Sequence, residues 1–263
     1  MNGAVASDDR GLAYGDGLFE TLRVSAAGDT PLWPRHRARL LDGAARLGIP
    51  VDGAALERCR TDALAGDTGA GVLKLTLTRG PGGRGYLPPD DPTPTLFARR
   101  GGLPPWTAAQ REQGVQLGVC DTPLGLDPLA GCKHLNRLPQ VLARREVAAA
   151  GWDEGLMLDE WRRPVEATAM NLFAVFGHTL WTPSLERAGV AGVARAWLLE
   201  RAAADGWCID VRMRPLSHLR AADGVFLSNA VVGVLPVRKL AQWVWPVPEP
   251  VRRFQRDLDH LFQ

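Results

Sequence analysis

Residues 131–173 constrain the fold more than any other stretch, because they join a helical pattern and a strand pattern within a short piece of chain. A polar cluster around Lys133 is followed by apolar residues at helical spacing up to Gly151, and glycine commonly ends helices. Short apolar runs then have the pattern of strands, with Glu166 on one of them and a hairpin at 171–182. The sequence therefore predicts an α+β fold.

Two domains are predicted from the spacing of such patterns along the chain. We expect a small N-terminal α/β domain at residues 1–105, a linker at 106–113 and a larger, strand-rich C-terminal domain at 114–263. The patterns predict strands at 18–24, 31–33, 72–78, 95–99, 115–121, 155–159, 165–167, 171–176, 179–182, 208–213, 225–227 and 234–237, and helices from Pro34, over 54–65, after Asn136, over 194–204 and at the C-terminal end. The helix after Asn136 is expected to bury an apolar face made of Leu135, Leu138, Val141 and Leu142.

Composition is that of an ordinary globular protein and excludes several classes of function. Hydrophobic residues make up 46% and charged residues 23%, and a net charge of +2 gives no reason to expect a nucleic-acid partner. The N-terminus lacks the apolar core of a signal peptide, and no apolar run reaches the ~18 residues that span a membrane, so we expect a cytoplasmic protein without a membrane partner. Four cysteines and five histidines show no metal-ligand spacing, which predicts reduced thiols and no metal site.

Lysine is scarce, and only three of the 31 basic side chains are lysines. Arginine cannot form a Schiff base, because its guanidinium does not lose a proton in proteins, so each lysine is a candidate for that chemistry. Lys74 alternates with leucines in a strand pattern and Lys239 enters a polar region, so both are interpreted as solvated surface charges. Lys133 stands before a helix without such alternation and is the best candidate for a catalytic amine.

Two further segments carry clustered charge or an unusual loop. Positive charge is unfavourable near a helix N-terminus, so the cations that follow Pro34 predict an anionic partner for at least one of them, unless all are solvated at small cost. These cations are Arg35, His36, Arg37 and Arg39. The Gly- and Pro-rich loop at 79–94 holds Arg84 and Tyr86, and because it opens no helix we favour a substrate-facing loop over a phosphate cradle.

Four features together favour a pyridoxal-phosphate site. The amine of Lys133 can condense with an aldehyde, and Glu166 can keep a pyridine nitrogen protonated. The amides at residues 192–194 open a helix without side-chain obstruction and suit a phosphate, for which Arg39 supplies charge. Each feature alone is common, since a buried glutamate often pairs with an arginine and a glycine often precedes a helix.

Six motifs in this order resemble the fold-type IV class of pyridoxal-phosphate enzymes: YGDGLFETLR, RHRARL, GCKHLNRL, EATAMNLFAV, GVAGVAR and FLSNAVVGVLPV. The resemblance implies two domains, a small α/β sandwich and a larger pseudo-barrel with helices, and a homodimer. It also implies that Lys133 holds the cofactor as a Schiff base and that Glu166 pairs with the pyridine nitrogen. The phosphate would lie against Arg39, Val193, Ala194, Asn229 and Ala230.

Within that class the motifs are most similar to those of 4-amino-4-deoxychorismate lyases, which make 4-aminobenzoate and pyruvate from 4-amino-4-deoxychorismate. The residues that follow Lys133 read HLNRL, and the loop reads GGRGY with Arg84 and Tyr86. For that reaction Lys133 is a candidate general base, and Arg84 and Tyr86 are candidate substrate-binding residues. Thr21 either supplies a hydroxyl close to the leaving group or is only a strand residue. D-amino acid and branched-chain aminotransferases of the same class are the alternative, but their tyrosine positions hold Phe19 and Leu138 here.

A non-catalytic binding protein that has lost its cofactor is an alternative from another functional class. Such a protein would be expected to show replacement of the Schiff-base lysine or of the carboxylate that holds the pyridine nitrogen. Lys133 and Glu166 are both present, which favours an enzyme.

Overall fold

A computed structural model describes residues 5–66 and 69–263 and confirms a mixed arrangement of helices and strands. The chain divides into two compact units. Unit 1 comprises Met1–Leu103, Cys132–Arg137 and Phe262–Gln263, and unit 2 comprises Pro104–Gly131 and Leu138–Leu261. The segment that contains Lys133 thus belongs to unit 1, although its sequence neighbours on both sides belong to unit 2.

Unit 1 is built on a three-stranded antiparallel sheet of order β1-β2-β3. Its elements are α1 (Arg10–Tyr14), β1 (Gly17–Val24), α2 (Trp33–Leu47), α3 (Gly53–Leu64), β2 (Gly71–Thr78) and β3 (Thr95–Gly101). Alternate leucines of the first two strands are buried, as expected for a sheet with one face on a core: Leu18, Leu22, Leu73, Leu75 and Leu77. The predicted strand at 31–33 is wrong, because Trp33 already opens α2 and Pro34 is tolerated in a first helical turn.

Unit 2 carries nine strands in one sheet with helices packed around it. Its strands are β4 (Val115–Val119), β5 (Glu154–Leu158), β6 (Pro164–Ala167), β7 (Asn171–Phe176), β8 (Thr179–Thr182), β9 (Cys208–Val211), β10 (Gly224–Asn229), β11 (Gly233–Leu240) and β12 (Trp243–Val244). Its helices are α4 (Ala108–Gln113), α5 (Leu138–Ala150), α6 (Val193–Ala204) and α7 (Glu249–His260), with a 3-10 turn at Leu216–Ala221.

Six of these strands form a closed ring. The order β10-β11-β4-β5-β6-β7 returns to its start because β7 also pairs with β10, while β8 and β9 extend the sheet from β7. This closure confirms the predicted pseudo-barrel. An apolar cluster of alternate strand residues fills it, including Val115, Leu117, Leu156, Leu158, Leu172, Ala174, Leu227, Leu235 and Val237.

The predicted apolar face of the helix after Asn136 is wrong. Leu138, Val141 and Leu142 are 73%, 53% and 47% exposed. Helix α5 instead buries the side chains of Gln140, Ala143 and Val147, and the last two pack with Met157 of β5 in a second apolar cluster. The periodicity correctly predicts a helix, but the small residues are the ones that approach the sheet.

The segment predicted as a linker contains a short helix. Residues 108–113 form α4, whose N-terminus is closed by reciprocal hydrogen bonds between Thr107 and Gln110. In the described ranges 5–66 and 69–263, no helix is both long enough and apolar enough to cross a bilayer.

Candidate active site

In unit 1, Lys133 is held against the first strand of the sheet by backbone hydrogen bonds. The N–H of Phe19 donates to the carbonyl oxygen of Lys133 at 3.0 Å, and the N–H of Leu135 donates to the carbonyl oxygen of Gly17 at 2.9 Å. The Lys133 ammonium lies 4.4 Å from the centroid of the Phe19 ring, over its face. The strand therefore fixes the backbone from which this amine projects.

A second lysine lies against the same ring. Lys74 is exposed, as the alternation on β2 predicts, but its Nζ lies 4.8 Å from the centroid of Phe19. Lys74 is also the cross-strand partner of Thr21 on β1. Phe19, Thr21, Lys74 and Lys133 are therefore brought together, and the interpretation of Lys74 as a mere surface charge was incomplete. The sequence contains one indication of this grouping. Phe19 and Thr21 are two positions apart, so their side chains lie on the same face of β1.

Arg39 is paired with a buried glutamate of β1. Its Nε and Nη2 atoms donate to Oε1 and Oε2 of Glu20 at 2.7 and 2.5 Å, and Nδ1 of His36 lies 2.6 Å from Oε2. Burial opposes the charge on Glu20, but the charges of Arg39 and His36 and their hydrogen bonds outweigh it and lower the pKa of Glu20 to about 2. The predicted anionic partner of the α2 cations is thus confirmed, and it is Glu20.

The loop that carries Arg84 and Tyr86 is exposed and anchored through its backbone. The buried guanidinium of Arg10 donates to the carbonyl oxygens of Gly85 and Tyr86 at 3.1 and 2.7 Å. The Tyr86 ring packs on Tyr14 with centroids 5.3 Å apart, although the residue is 85% exposed. Arg10 thereby determines the path of the loop and leaves the Arg84 side chain in solvent.

In unit 2, Glu166 is a buried carboxylate, and two neutral donors bind its Oε2. Its Oε2 accepts hydrogen bonds from the Asn171 side-chain amide at 3.3 Å and from the N–H of Val190 at 2.9 Å. Asn171 is its cross-strand partner on β7 and also donates to the carbonyl oxygen of Val190. Burial lowers the pKa of Arg195 in α6, and the negative charge of Glu166 partly counteracts this effect. Sequence reasoning missed Arg195, although it lies in the motif GVAGVAR.

The loop next to Glu166 is fixed by the residue that stands two positions before Lys133 in the sequence. The N–H of Gly131 donates to the carbonyl oxygen of Gly189 at 2.9 Å, and its own carbonyl oxygen accepts from the N–H of Ala191 at 3.0 Å. The N–H of Val190, between these two residues, is thereby directed at Glu166.

The N-terminus of α6 has the features of an anion site. Its N-cap is Gly192, which has no side-chain capping hydrogen bond, and a Cβ at this position would lie 2.0 Å from Oδ1 of Asn171. Val193 and Ala194 follow and are buried. On β10, Ser228 pairs with Asn171 and, within the described residues, its buried Oγ has no hydrogen-bond partner. A phosphate can accept hydrogen bonds from helix N-terminal amides and from such a hydroxyl, so these residues fit the phosphate of the expected cofactor.

Asn229 acts on the turn after β10 through its side chain. Its Oδ1 accepts hydrogen bonds from the N–H groups of Val231 and Val232 at 2.9 and 2.7 Å, and its Nδ2 donates to the carbonyl oxygen of Ala169 at 3.1 Å. The side chain therefore shapes the turn that contains Ala230. Elsewhere in residues 5–66 and 69–263, no three His, Cys, Asp or Glu side chains form a group that could hold a metal ion.

The family model for class IV aminotransferases matches residues 17–240. The chain belongs to this family. Class IV aminotransferases and aminodeoxychorismate lyases are pyridoxal-phosphate enzymes, which agrees with the resemblance inferred from the motifs.

Three relatives show how this class IV chain compares with individual proteins. It is 35% identical to an aminodeoxychorismate lyase of Vibrio harveyi, over 95% of this chain and 94% of that protein. It is 31% identical to a putative branched-chain-amino-acid aminotransferase of Methanocaldococcus jannaschii, over 87% and 80%. The crystal structure of a 4-amino-4-deoxychorismate lyase from Pseudomonas aeruginosa matches with a TM-score of 0.93 and 48% identity, over 99% of this chain and 96% of that chain. These matches confirm the predicted fold.

Proposed function

We propose that this class IV protein is a pyridoxal-phosphate-dependent 4-amino-4-deoxychorismate lyase, which forms 4-aminobenzoate and pyruvate. The relatives with 48% and 35% identity carry that name and are covered almost completely. The structural observation that carries the proposal is the pair of lysines on Phe19, at 4.4 and 4.8 Å from its ring. Lys133 can act as the catalytic amine, while Lys74 can offer a positive charge to a substrate that has two carboxylates.

The residues around Glu166 and at the N-terminus of α6 would hold the cofactor in unit 2. Glu166 would keep the pyridine nitrogen protonated, and the amides of Val193 and Ala194 would bind the phosphate. The turn with Asn229 and Ala230 and the guanidinium of Arg39 are assigned to the same phosphate. When bound, pyridoxal phosphate supplies an electron sink for negative charge that develops on the substrate.

Lys133 is assigned two roles, holding the cofactor covalently and moving the substrate proton. A neutral Nζ is needed to accept the proton from C4 of the substrate ring. Lys74 contacts the same Phe19 ring, so a second amine stands beside the ring on which Lys133 lies. Lys74 is exposed to solvent.

Loss of the C4 proton is followed by cleavage of the bond between the ring and the enolpyruvyl oxygen. The ring becomes aromatic as 4-aminobenzoate, and the departing enolpyruvate takes up a proton and becomes pyruvate. Thr21, on the same strand face as Phe19, is assigned to donate its hydroxyl hydrogen to the departing oxygen. Lys74 and Arg84 are assigned to the substrate carboxylates, and Tyr86 to the outer edge of the ring.

A homodimer is proposed as the functional assembly. The exposed side chains of Leu138, Val141 and Leu142 stand at helical spacing on one face of α5. An apolar helix face of this kind supports burial against a second copy of the chain. Sedimentation at micromolar concentration should give twice the monomer mass, and Val141→Glu should shift the protein towards monomer.

The decisive experiment is incubation of the holoenzyme with 4-amino-4-deoxychorismate while pyruvate and 4-aminobenzoate are measured. We expect equal amounts of the two products. Lys133→Ala should abolish both products and the visible absorbance of the bound cofactor, whereas Lys239→Ala, a matched control on β11, should retain both. Absence of pyruvate together with amino transfer from D-alanine or leucine to a 2-oxo acid would instead support an aminotransferase, as the M. jannaschii relative is named.

A further inference from the structure

We propose that Glu20 and His36 are positioning residues, which orient the guanidinium of Arg39 for the cofactor phosphate. This inference rests on the proposed function, in which Arg39 is assigned to that phosphate. The proposed role of Glu20 and His36 is to fix the orientation of the Arg39 guanidinium, not its charge.

The pairing of Arg39 with Glu20 is side-on. Both carboxylate oxygens of Glu20 are engaged, one by Nε and the other by Nη2. A planar guanidinium paired in this way cannot rotate about its last bonds without breaking a hydrogen bond, so its Nη1 edge is directed away from Glu20. Glu20 is 1% exposed and the Arg39 side chain 15%, so the anchored edge is buried and part of the arginine stays accessible.

His36 fixes the carboxylate in turn. Its Nδ1 lies 2.6 Å from Oε2 of Glu20, and both side chains are 1% exposed. Because Glu20 is ionised, Nδ1 carries the hydrogen and donates, which defines the tautomer and leaves Nε2 as the unprotonated ring nitrogen. That Nε2 is buried and has no hydrogen-bond partner among the described residues. His36 and Arg39 are three residues apart on one face of α2, so both side chains can bind the Glu20 carboxylate.

Electrostatics and positioning predict opposite effects of removing the Glu20 charge. Glu20 cancels much of the positive charge of Arg39, so a purely electrostatic arginine would bind phosphate more tightly after Glu20→Gln. A positioned arginine would bind it less tightly, because the introduced side-chain amide can accept only one of the two hydrogen bonds from the guanidinium. The sign of the change therefore distinguishes the two roles.

The test compares the affinity of the apoprotein for pyridoxal phosphate with its affinity for pyridoxal, which lacks the phosphate. For Glu20→Gln we expect affinity for pyridoxal phosphate to fall about 10- to 100-fold, the effect of losing a charged hydrogen bond, with pyridoxal affinity unchanged. Glu57→Gln is the matched control, because Glu57 also binds an arginine of unit 1, Arg60, through Nε and Nη2. It should leave both affinities unchanged.

Arg39→Gln closes a double-mutant cycle. Once Arg39 is absent, Glu20→Gln should cause no further loss of pyridoxal phosphate affinity, whereas additive losses would overturn the inference. His36→Gln provides a second variant in case Glu20→Gln folds poorly, and it should weaken only the binding of the phosphorylated ligand.

Failure of this inference can be separated from failure of the proposed function. A wild-type protein that binds no pyridoxal phosphate contradicts the proposed function itself. If the wild type binds it through Lys133 and Glu20→Gln keeps or raises the preference over pyridoxal, only the positioning role is wrong.

Discussion

Two buried glutamates, one in each unit, accept hydrogen bonds from different kinds of donor. Glu20 is 1% and Glu166 4% exposed. Glu20 is clamped by the cationic side chain of Arg39 and the ring of His36, whereas Oε2 of Glu166 accepts hydrogen bonds from a neutral side-chain amide and a backbone N–H. Burial penalises the ionised form of both carboxylates, so each needs compensating partners.

The difference shows how one chain uses the same side chain for two purposes. The guanidinium of Arg39 offsets the charge of Glu20, so this carboxylate can act as an anchor. Oε2 of Glu166 instead accepts hydrogen bonds from two dipoles, and the carboxylate interacts electrostatically with Arg195; in the proposed function it attracts a protonated ring nitrogen. Variants of Glu20 should therefore affect structure and cofactor binding, whereas variants of Glu166 should affect turnover.

Glu166→Gln should have the largest effect on turnover. The amide keeps the size of the side chain and can still accept from Val190, but it removes the negative charge assigned to the pyridine nitrogen. We expect kcat to fall about 10²- to 10³-fold, the usual effect of removing one preorganised electrostatic group, with little change in melting temperature. A variant that retains kcat within about threefold would show that Glu166 does not tune the cofactor.

Gly192→Ala should disturb the packing around Asn171 in unit 2 sterically. The added Cβ would lie 2.0 Å from Oδ1 of Asn171, the side chain that also donates to Glu166. Forcing apart packed groups costs about 1–3 kcal/mol, so the free energy of unfolding measured in urea should fall by that amount and cofactor affinity should fall with it. Gly125→Ala is the control, because a Cβ there meets nothing within 4 Å. If Gly192→Ala and Gly125→Ala had the same free energy of unfolding, the close approach of residue 192 to Asn171 would be contradicted.

The smallest effect is expected in the pH dependence of unfolding, to which the buried His36 and Glu20 of unit 1 should contribute. Burial is the main cause that lowers the pKa of His36 from its ordinary 6.5; Glu20 opposes the shift, while Arg39 and Lys133 add to it. The unfolded chain therefore binds this proton more readily, and the free energy of unfolding should decrease as pH falls below about 6.5. Glu20, with its pKa lowered to about 2, should add a second decrease between pH 4.5 and 2.

His36→Asn should reduce the first of these decreases and also weaken the second, because His36 contributes to the lowered pKa of Glu20. His260→Asn, near the end of α7, is the control and should keep the wild-type profile. Part of the first decrease should persist in either variant, because burial also lowers the pKa of His218. Unfolding monitored in urea at half-unit pH steps measures both effects. An unchanged slope in His36→Asn would show that His36 is not the group that titrates.

Local patterns were sufficient to predict most elements and the residues of the motifs. The hairpin of β7 and β8 and the helix α6 follow from short-range signals, because their turns and caps lie within a few residues. The candidate residues Lys133 and Glu166 could be chosen because lysine is scarce and because the motifs resemble a family. Their roles in the reaction stay predictions.

Contacts between distant segments could not be predicted in this way. Nothing local indicates that Glu20 turns towards α2, because alternation on β1 places a charged residue among leucines. The same limit applies to Lys74, whose alternation predicts exposure but not the ring that it shares with Lys133. For α5, periodicity gives two candidate faces, and only the packing against β5 decides that Ala143 and Val147 are buried.

The closed ring of unit 2 also has a consequence for how the protein is made. Strand β10 pairs with both β7 and β11, and β11 pairs with β4, so the ring cannot close until Leu240 has left the ribosome. Before that point the nascent chain exposes unpaired edges on β4 and β7, which are ready templates for association with other chains. A premature stop before β11 should therefore produce an aggregating polypeptide, which chaperones and proteases remove, rather than a weakened enzyme.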